Sequence, residues 1–220
     1  MSEYRLVFAK EGRAVWISHL DLLRTFQRAF IRAGMVIKHS QGFHPHPILS
    51  FVLPLSVGQA SGCELLDFAT QEDIPGDEIV RRLTPCLPEG IRALACQAPV
   101  KPVRELDALQ AEVRLTYDGG IPQGAGEKIC ALLLGEHVVV EKRNKKKRMV
   151  DTDIRPMIRA VFAQEDDRDL LLSVTVQAQN PGVNPALLAA AVERHLPPLR
   201  PDAVQVRRTA MLDGTGKLFR

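Results

Sequence analysis

Residues 18–34 of the chain read SHLDLLRTFQRAFIRAG, and this stretch predicts an amphipathic α-helix that packs against a sheet. Ser18 is a favourable N-cap, Asp21 follows three positions later, and Gly34 stands where a left-handed residue would end the helix. We therefore predict a helix over residues 19–33. At ~100° per residue, six apolar side chains fall on one broad face, namely Leu22, Leu23, Phe26, Ala29, Phe30 and Ala33.

The segments around this helix predict an α+β unit. YRLVFA at residues 4–9 alternates like a strand, and ILSFVL and ELLDFA predict a hairpin after the helix. A short helix is expected from Gly76 to about Leu83, and GIRALACQA after Pro88 predicts a fourth strand. The first hundred residues thus have the order β-α-β-β-α-β.

The second half repeats a similar order. After a linker at 101–107 we predict a strand over 109–117, a helix over 126–134 and the strand HVVVEK. A strand-like stretch from Met149 and the strand 170–178 follow. The chain then continues with a helix that is capped by Asn184 and ends near His195, and with the strand AVQVRRTAM. RPMIRAVF has no assignment. The expected fold is α+β, with two tandem ferredoxin-like (split β-α-β) units over 1–100 and 108–220, antiparallel sheets, and helices on one face.

Composition narrows the class of protein. No run approaches the ~20 apolar residues of a membrane helix, and the N-terminus lacks a signal-peptide pattern, so we expect a cytoplasmic protein without membrane contact. The four cysteines stand singly, which argues against zinc or iron–sulfur motifs. Glycine-rich nucleotide loops and nucleophile elbows are also absent from the sequence. We therefore expect no self-contained cofactor, metal or catalytic centre.

The positive charge is concentrated in two places. Residues 1–50 carry seven Lys/Arg against three Asp/Glu, and KRNKKKR at 142–148 adds six positive charges. Because the whole chain is only +3, the remainder carries a net charge of −7. Such concentration favours a polyanionic partner, although a solvated loop and a solvated helix face are the ordinary alternatives.

Three arginines, Arg24, Arg28 and Arg32, stand one turn apart on the predicted helix, opposite its apolar face. They would extend along roughly 12 Å at ~1.5 Å per residue, and arginine both grips phosphate and stacks on unpaired bases. The lysine-rich stretch between two predicted strands would add phosphate contacts that do not depend on the nucleotide sequence. Its predicted RNA-binding residues are Lys142, Arg143, Lys145, Lys146, Lys147 and Arg148.

The segment GFHPHP at 42–47 is unusual because four of the six histidines lie within 28 residues, with the two prolines expected to hold the segment extended. The histidines could bind a metal, act as general acid and base on a ribose hydroxyl, or stack on bases. Lys38, His39, Phe43 and His46 are therefore predicted RNA contacts. The candidates for catalysis, if the protein is a ribonuclease, are His19, His44 and His46.

The run from Trp16 to Phe68, with its S-H-L-D helix start and its G-F-H-P-H-P segment, resembles the signature of the radical-SAM-linked family, domain of unknown function 2344. His44 stands where that family pattern has Asn. Two further segments, LPEG at 87–90 and VDTDIRP at 150–156, also match that family pattern in their residue types. The resemblance implies a radical SAM protein, encoded separately, as partner, and RNA or ribosome modification (tRNA or rRNA) as the setting.

Three functions remain open from the sequence. The first is a non-catalytic RNA-binding accessory protein. The second is a metal-independent RNA endonuclease of the CRISPR repeat-processing type, which also uses paired ferredoxin-like domains. The third is a protein-interaction module without nucleic-acid binding. Fold analogy alone does not choose among them.

Overall fold

The structure is a computed structural model that describes residues 2–143 and 148–220. Within these residues, four α-helices are combined with mostly antiparallel β-strands, so the chain has the predicted α+β class. The chain divides into two compact units, one made of Met1–Glu105 with Phe219–Arg220 and one made of Leu106–Leu218. None of the helices described is long and apolar enough to cross a membrane.

The first unit follows the predicted order of strands and helices. Its elements are β1 (Ser2–Lys10), α1 (His19–Arg32), β2 (Leu49–Phe51), β3 (Ala60–Thr70), α2 (Gly76–Leu83) and β4 (Ile91–Gln97). Strand β1 pairs antiparallel with β3 on one side and with β4 on the other, and β2 pairs antiparallel with β3. The predicted hairpin of β2 and β3 is therefore confirmed.

Helix α1 has the predicted ends. The Ser18 hydroxyl accepts a hydrogen bond from the backbone N–H of Asp21 at 3.2 Å, which satisfies one of the free donors of the first turn. At the other end, Gly34 has φ +68°, the left-handed conformation that glycine adopts without steric cost.

An aromatic core joins the helices of the first unit to its sheet. The rings of Phe8 and Phe26 lie 4.9 Å apart and nearly perpendicular, and those of Phe30 and Phe68 lie 4.7 Å apart. Burial of each such ring contributes about 1.5–3 kcal/mol. Helix α2 contributes to the same buried cluster, so both helices pack on one face of these strands.

The second unit contains four strands in the order β10-β5-β9-β8 and a separate β6–β7 hairpin. Its elements are β5 (Leu106–Thr116), α3 (Ala125–Leu133), β6 (Val139–Arg143), β7 (Met149–Asp153), β8 (Ile158–Asp166), β9 (Asp169–Gln177), α4 (Ala186–His195) and β10 (Ala203–Asp213). The alternation predicted for β5 is confirmed, since every second residue from Leu109 to Tyr117 is buried.

The structure of the second unit departs from the sequence predictions in three places. The unassigned RPMIRAVF forms a short 3-10 turn at Arg155–Met157 followed by β8. Helix α4 has Pro185 at its N-cap, while the side chain of Asn184 accepts a hydrogen bond from the N–H of Ala186 at 3.1 Å. Strand β5 starts inside the expected linker. The ferredoxin-like description of each unit stays a prediction.

Candidate nucleic-acid interface

The arginines of α1 all lie on its solvent side, but they differ in what they contact. Arg24 is exposed and pairs with Asp21 at 3.1 Å. Arg32 is exposed and donates a hydrogen bond to the backbone carbonyl of Cys86. Arg28 is exposed, and its side chain contacts no hydrogen-bond or ion-pair partner within residues 2–143 and 148–220. Exposed pairs such as Arg24–Asp21 contribute little, so Arg24 and Arg28 are available to a ligand.

A buried lysine fixes the chain just before α1. The ammonium of Lys10 donates hydrogen bonds to the carbonyls of Val15 at 3.2 Å and Ile17 at 2.9 Å. Burial lowers the pKa of Lys10, and the charge of Glu64 opposes that shift. These bonds hold the turn that leads into His19, whose ring contacts the Phe51 ring edge to face at 5.2 Å between centroids.

Residues 38–48, which we name the histidine loop, fold back on themselves instead of staying extended. The backbone bridges His39 to Pro47, and the N–H of Ser40 donates to the carbonyl of His46 at 2.8 Å. The chain bends at residues 41–44, and Gly42 has φ +135°. The prediction of an extended segment is therefore wrong, because cross-loop hydrogen bonds and a glycine at positive φ reverse the chain.

The tip of the histidine loop presents an aromatic ring to solvent. Phe43 is 103% exposed and has exposed His44 beside it. At the neck, the Ser40 hydroxyl lies 2.9 Å from Nδ1 of His46 and accepts a hydrogen bond from the His46 N–H at 3.2 Å. A fully exposed phenyl ring on a braced loop is able to stack on a nucleobase.

A cavity of about 300 Å³ connects the outer face of α1 with the histidine loop. Gln27 and Ile31 line it from α1, Val36 lines it from the segment after the helix, and His39 and Pro47 line it from the neck of the loop. The arginine-bearing helix and the histidine loop therefore share one surface of the first unit. We name this cavity the helix–loop cavity.

A larger cavity of about 630 Å³ lies on the sheet side of the same loop. It is lined by Lys38, His39 and the acidic residues Glu3 and Asp67, among others. Asp67 forms an ion pair with the buried guanidinium of Arg5, which donates hydrogen bonds to its two carboxylate oxygens at 2.6 and 2.7 Å. The Arg5 guanidinium also donates to the carbonyl of Lys101 at 2.9 Å and lies 4.7 Å from the centre of the Phe219 ring.

The sequence matches one protein family over residues 3–185, and that family is described as an uncharacterized protein conserved in bacteria (DUF2344). The chain belongs to the DUF2344 family. No curated protein is significantly similar in sequence. The family match covers both the signature region and most of the second unit, so it confirms the resemblance to domain of unknown function 2344. The link to radical SAM proteins stays a prediction.

A solved structure resembles this DUF2344 protein in fold. A chain in the crystal structure of a Cbf5-Nop10-Gar1 complex aligns with a TM-score of 0.51 and 11% identity, covering 94% of this chain and 48% of that one. The DUF2344 chain thus spans about half the length of that chain, and the likeness concerns the fold alone. An unknown protein from Galdieria sulphuraria covers 94% of this chain and 97% of its own, with 12% identity and a TM-score of 0.24.

The basic hairpin of the DUF2344 protein belongs to the second unit. Lys142 donates a hydrogen bond to the carbonyl of Gly182 at 2.9 Å, and Arg148 is exposed. Lys145, Lys146 and Lys147, and the side chain of Arg143, lie outside what the structure describes. The RNA contacts expected of this hairpin stay a prediction.

The histidines predicted as catalytic candidates make different contacts. His19 contacts Phe51 and His46 contacts Ser40, and no hydrogen bond or ring contact joins either of them to His44 in the described part of the chain. Within that part, no group of three or more His, Cys, Asp or Glu side chains is arranged to hold a metal ion.

Sequence reasoning did not identify the cavity residues Gln27, Ile31 and Val36. Ile31 and Val36 are 76% and 53% exposed and line the same cavity, so together they form adjacent apolar surface. The sequence feature that could have pointed to the cavity is Ile31, an apolar residue that lies outside the predicted buried face of α1. The contribution of the loop to the cavity depends on the chain reversal at 41–44, which spacing alone does not reveal.

Proposed function

We propose that this protein binds RNA through the surface of its first unit formed by the outer face of α1 and the histidine loop, and that it assists a separately encoded radical SAM enzyme. The observation that carries the proposal is the helix–loop cavity, because residues of α1 and of the loop line it together. Arg24 and Arg28 lie on the same outer face of α1 as the cavity residue Ile31. In the loop, the side chains of His39, Phe43, His44 and His46 are exposed, and Lys38 is half-buried.

Two properties of this surface favour RNA over a merely solvated face. Arg24 and Arg28 can contact phosphates without breaking a buried interaction, since one has no partner within the residues described and the other has only an exposed ion pair. The ring of Phe43 and the exposed imidazoles offer stacking surfaces for unpaired bases, the mode by which proteins usually recognise single-stranded RNA.

The radical SAM partner is inferred from the resemblance of residues 16–68 to the radical-SAM-linked family, whose members follow a radical SAM domain or are encoded beside one. A cytoplasmic accessory role in modification of tRNA or rRNA is the setting that we propose. Co-purification of the tagged chain with the neighbouring radical SAM protein would support the partnership. Its absence under low salt would count against the partnership but not against RNA binding.

Fluorescence polarisation with labelled tRNA and rRNA fragments, recorded over a series of salt concentrations, tests RNA binding. We expect the double variant Arg24→Ala/Arg28→Ala to bind more weakly and to reduce the logarithmic salt slope by about 0.7 for each lost phosphate contact. Arg81→Ala/Arg82→Ala on α2 removes the same charge from arginines that already pair with Glu78, and serves as the control. Salt-independent binding, or equal losses in both double variants, would contradict the proposal.

A metal-independent RNA endonuclease is the second candidate, favoured by the Ser40–His46 contact. That contact occupies Nδ1 of His46 and leaves Nε2 to serve as acid or base on the exposed side of the loop. Cleavage of RNA in EDTA that is lost in His46→Ala would establish this activity. If the protein purifies with a protein partner and no nucleic acid, the third function, an interaction module, is favoured instead.

A further inference from the structure

We propose that the helix–loop cavity receives one unpaired nucleobase of the RNA, while Arg24 and Arg28 hold the phosphates on either side of it. This inference rests on the proposed RNA binding and specifies its ligand as a single-stranded segment. A volume of about 300 Å³ is at the lower end of the roughly 300–1,000 Å³ found for small-molecule sites. A single base is a ligand of suitable size.

The walls of the cavity suit a flat, partly apolar ligand. Ile31 and Val36 expose 76% and 53% of their surface, and Pro47 adds a ring at the neck of the loop. A nucleobase placed between these side chains would remove apolar surface from water at about 25 cal/mol per Å². Such shielding would cover the apolar side chain of Ile31, which stands between Arg28 and Arg32 in the sequence of α1.

Two polar side chains at the cavity are free to read a base edge. The amide of Gln27 and the imidazole of His39 line the cavity, and neither side chain makes a hydrogen bond to any residue that the structure describes. A glutamine amide offers both a donor and an acceptor, which matches the paired donors and acceptors along the edges of the bases. A purely apolar ligand would leave both groups without a partner.

The charge next to the cavity decides between a nucleic acid and an apolar protein segment. Arg24 precedes Gln27 by three residues and Arg28 precedes Ile31 by three, so each arginine lies one turn from a cavity residue on the same side of α1. The backbone of an RNA strand whose base enters the cavity would pass these two guanidinium groups. An apolar side chain of a protein partner could contact the cavity walls, but it would have no interaction with the guanidinium groups of Arg24 and Arg28.

Two probes separate this inference from RNA binding in general. One is a fluorescein-labelled single-stranded RNA, and the other is the same strand annealed to its complement. We expect Gln27→Met, which keeps the side-chain length, and Val36→Trp, which fills the cavity, each to weaken single-strand binding by about tenfold or more. Duplex binding should change little. Val57→Trp, at a position that is also 53% exposed but does not line the cavity, is the matched control.

A 2-aminopurine base in the single strand gives a readout besides affinity. No Phe, Tyr or Trp lines the cavity among the described residues, so a base that leaves its stack to enter it should gain fluorescence. We expect this gain in the unaltered protein and in Val57→Trp, and its loss in Val36→Trp. Single-strand affinity and fluorescence that are unchanged in Gln27→Met and Val36→Trp, with weaker binding in Arg24→Ala/Arg28→Ala, would overturn the base site and leave RNA binding intact. No binding of either probe would overturn both proposals.

Discussion

The hydroxyl oxygen of Ser40 lies 2.9 Å from Nδ1 of His46, across the neck of the histidine loop. The same oxygen accepts a hydrogen bond from the His46 N–H at 3.2 Å, so one small side chain braces both the backbone and the ring of the opposite strand of the loop. Residues 41–45, between these two partners, have no regular secondary structure that would hold them in place. The Ser40–His46 contacts therefore fix the two sides of the loop whose tip carries Phe43.

Replacing Ser40 with Ala should affect RNA binding more than stability. The two lost hydrogen bonds are exposed, so we expect the free energy of unfolding to fall by less than about 1 kcal/mol. RNA affinity should drop several-fold, since the loop would have to be ordered on binding. Chemical denaturation and fluorescence polarisation measure the two quantities. A loss of stability with unchanged affinity would show that the brace has no part in binding.

Removing the carboxylate of Asp67 should strongly destabilise the first unit. The Arg5 side chain is 2% exposed, so Asp67→Ala would leave a buried guanidinium without its counter-charge, at a cost of about 3 kcal/mol. Denaturant unfolding measures this loss of stability. The control is Glu3→Ala, because Glu3 is an exposed acid that lines the same cavity of about 630 Å³ as Asp67. The double variant Arg5→Met/Asp67→Ala should recover part of the stability, and a double variant less stable than Asp67→Ala would argue against the explanation.

Gly90 should tolerate alanine much less well than Gly34. Both have positive φ, +84° and +68°, so each substitution strains the backbone by roughly 1 kcal/mol. A Cβ on Gly90 would also lie 2.4 Å from the Glu11 carbonyl oxygen, whereas a Cβ on Gly34 has no atom within 4 Å. We expect Gly90→Ala to lower the melting temperature clearly further than Gly34→Ala. Similar losses would mean that the neighbouring backbone moves without cost.

The carboxyl group of Asp153 should make stability depend on acid pH. Its hydrogen bond with His137, and then the N–H groups of Val138 and Arg155, lower its pKa from 3.8 to about 2. Because this pKa is lower in the folded than in the unfolded chain, the stabilisation is complete above about pH 4 and is lost as the pH falls towards 2.

Asp153→Asn should therefore reduce the slope of the unfolding free energy against pH over that acid range. Asp118→Asn, which removes an exposed acid of the same unit, is the control. Denaturant titrations at several pH values measure both slopes. If the Asp153 variant has the slope of the unaltered protein, its carboxyl group is not the source of the acid sensitivity.

Local signals predicted the elements of the fold where pattern and capping agreed. The apolar face of α1, with Ser18 and Gly34 at its ends, and the alternation of β5 are examples in which each residue contributes to the same structure. Strand β8 was missed because its alternation is weak. Phe162 is 71% exposed, and the register with β9 shifts between Ile158 and Ala160.

The candidate site was predictable in its residue types but not in its geometry. Exposed arginines and a histidine-rich loop are visible in the sequence, yet the contact of Arg32 with Cys86 and the reversal of the loop depend on tertiary hydrogen bonds. The buried charges of Arg5 and Lys10 were likewise unpredictable from an alternating strand, since their partners are set by the folded chain.

The Arg5 guanidinium is surrounded by groups that enter the chain far apart, with the Asp67 carboxylate and the Lys101 carbonyl first and the Phe219 ring last. During translation, the strand that carries Arg5 emerges from the ribosome before these partners, and the Phe219 ring emerges only after all of residues 106–218. The nascent first unit must therefore wait for synthesis of the second before its interior is closed. The surroundings of Arg5 are thus complete only once Phe219 has been synthesised.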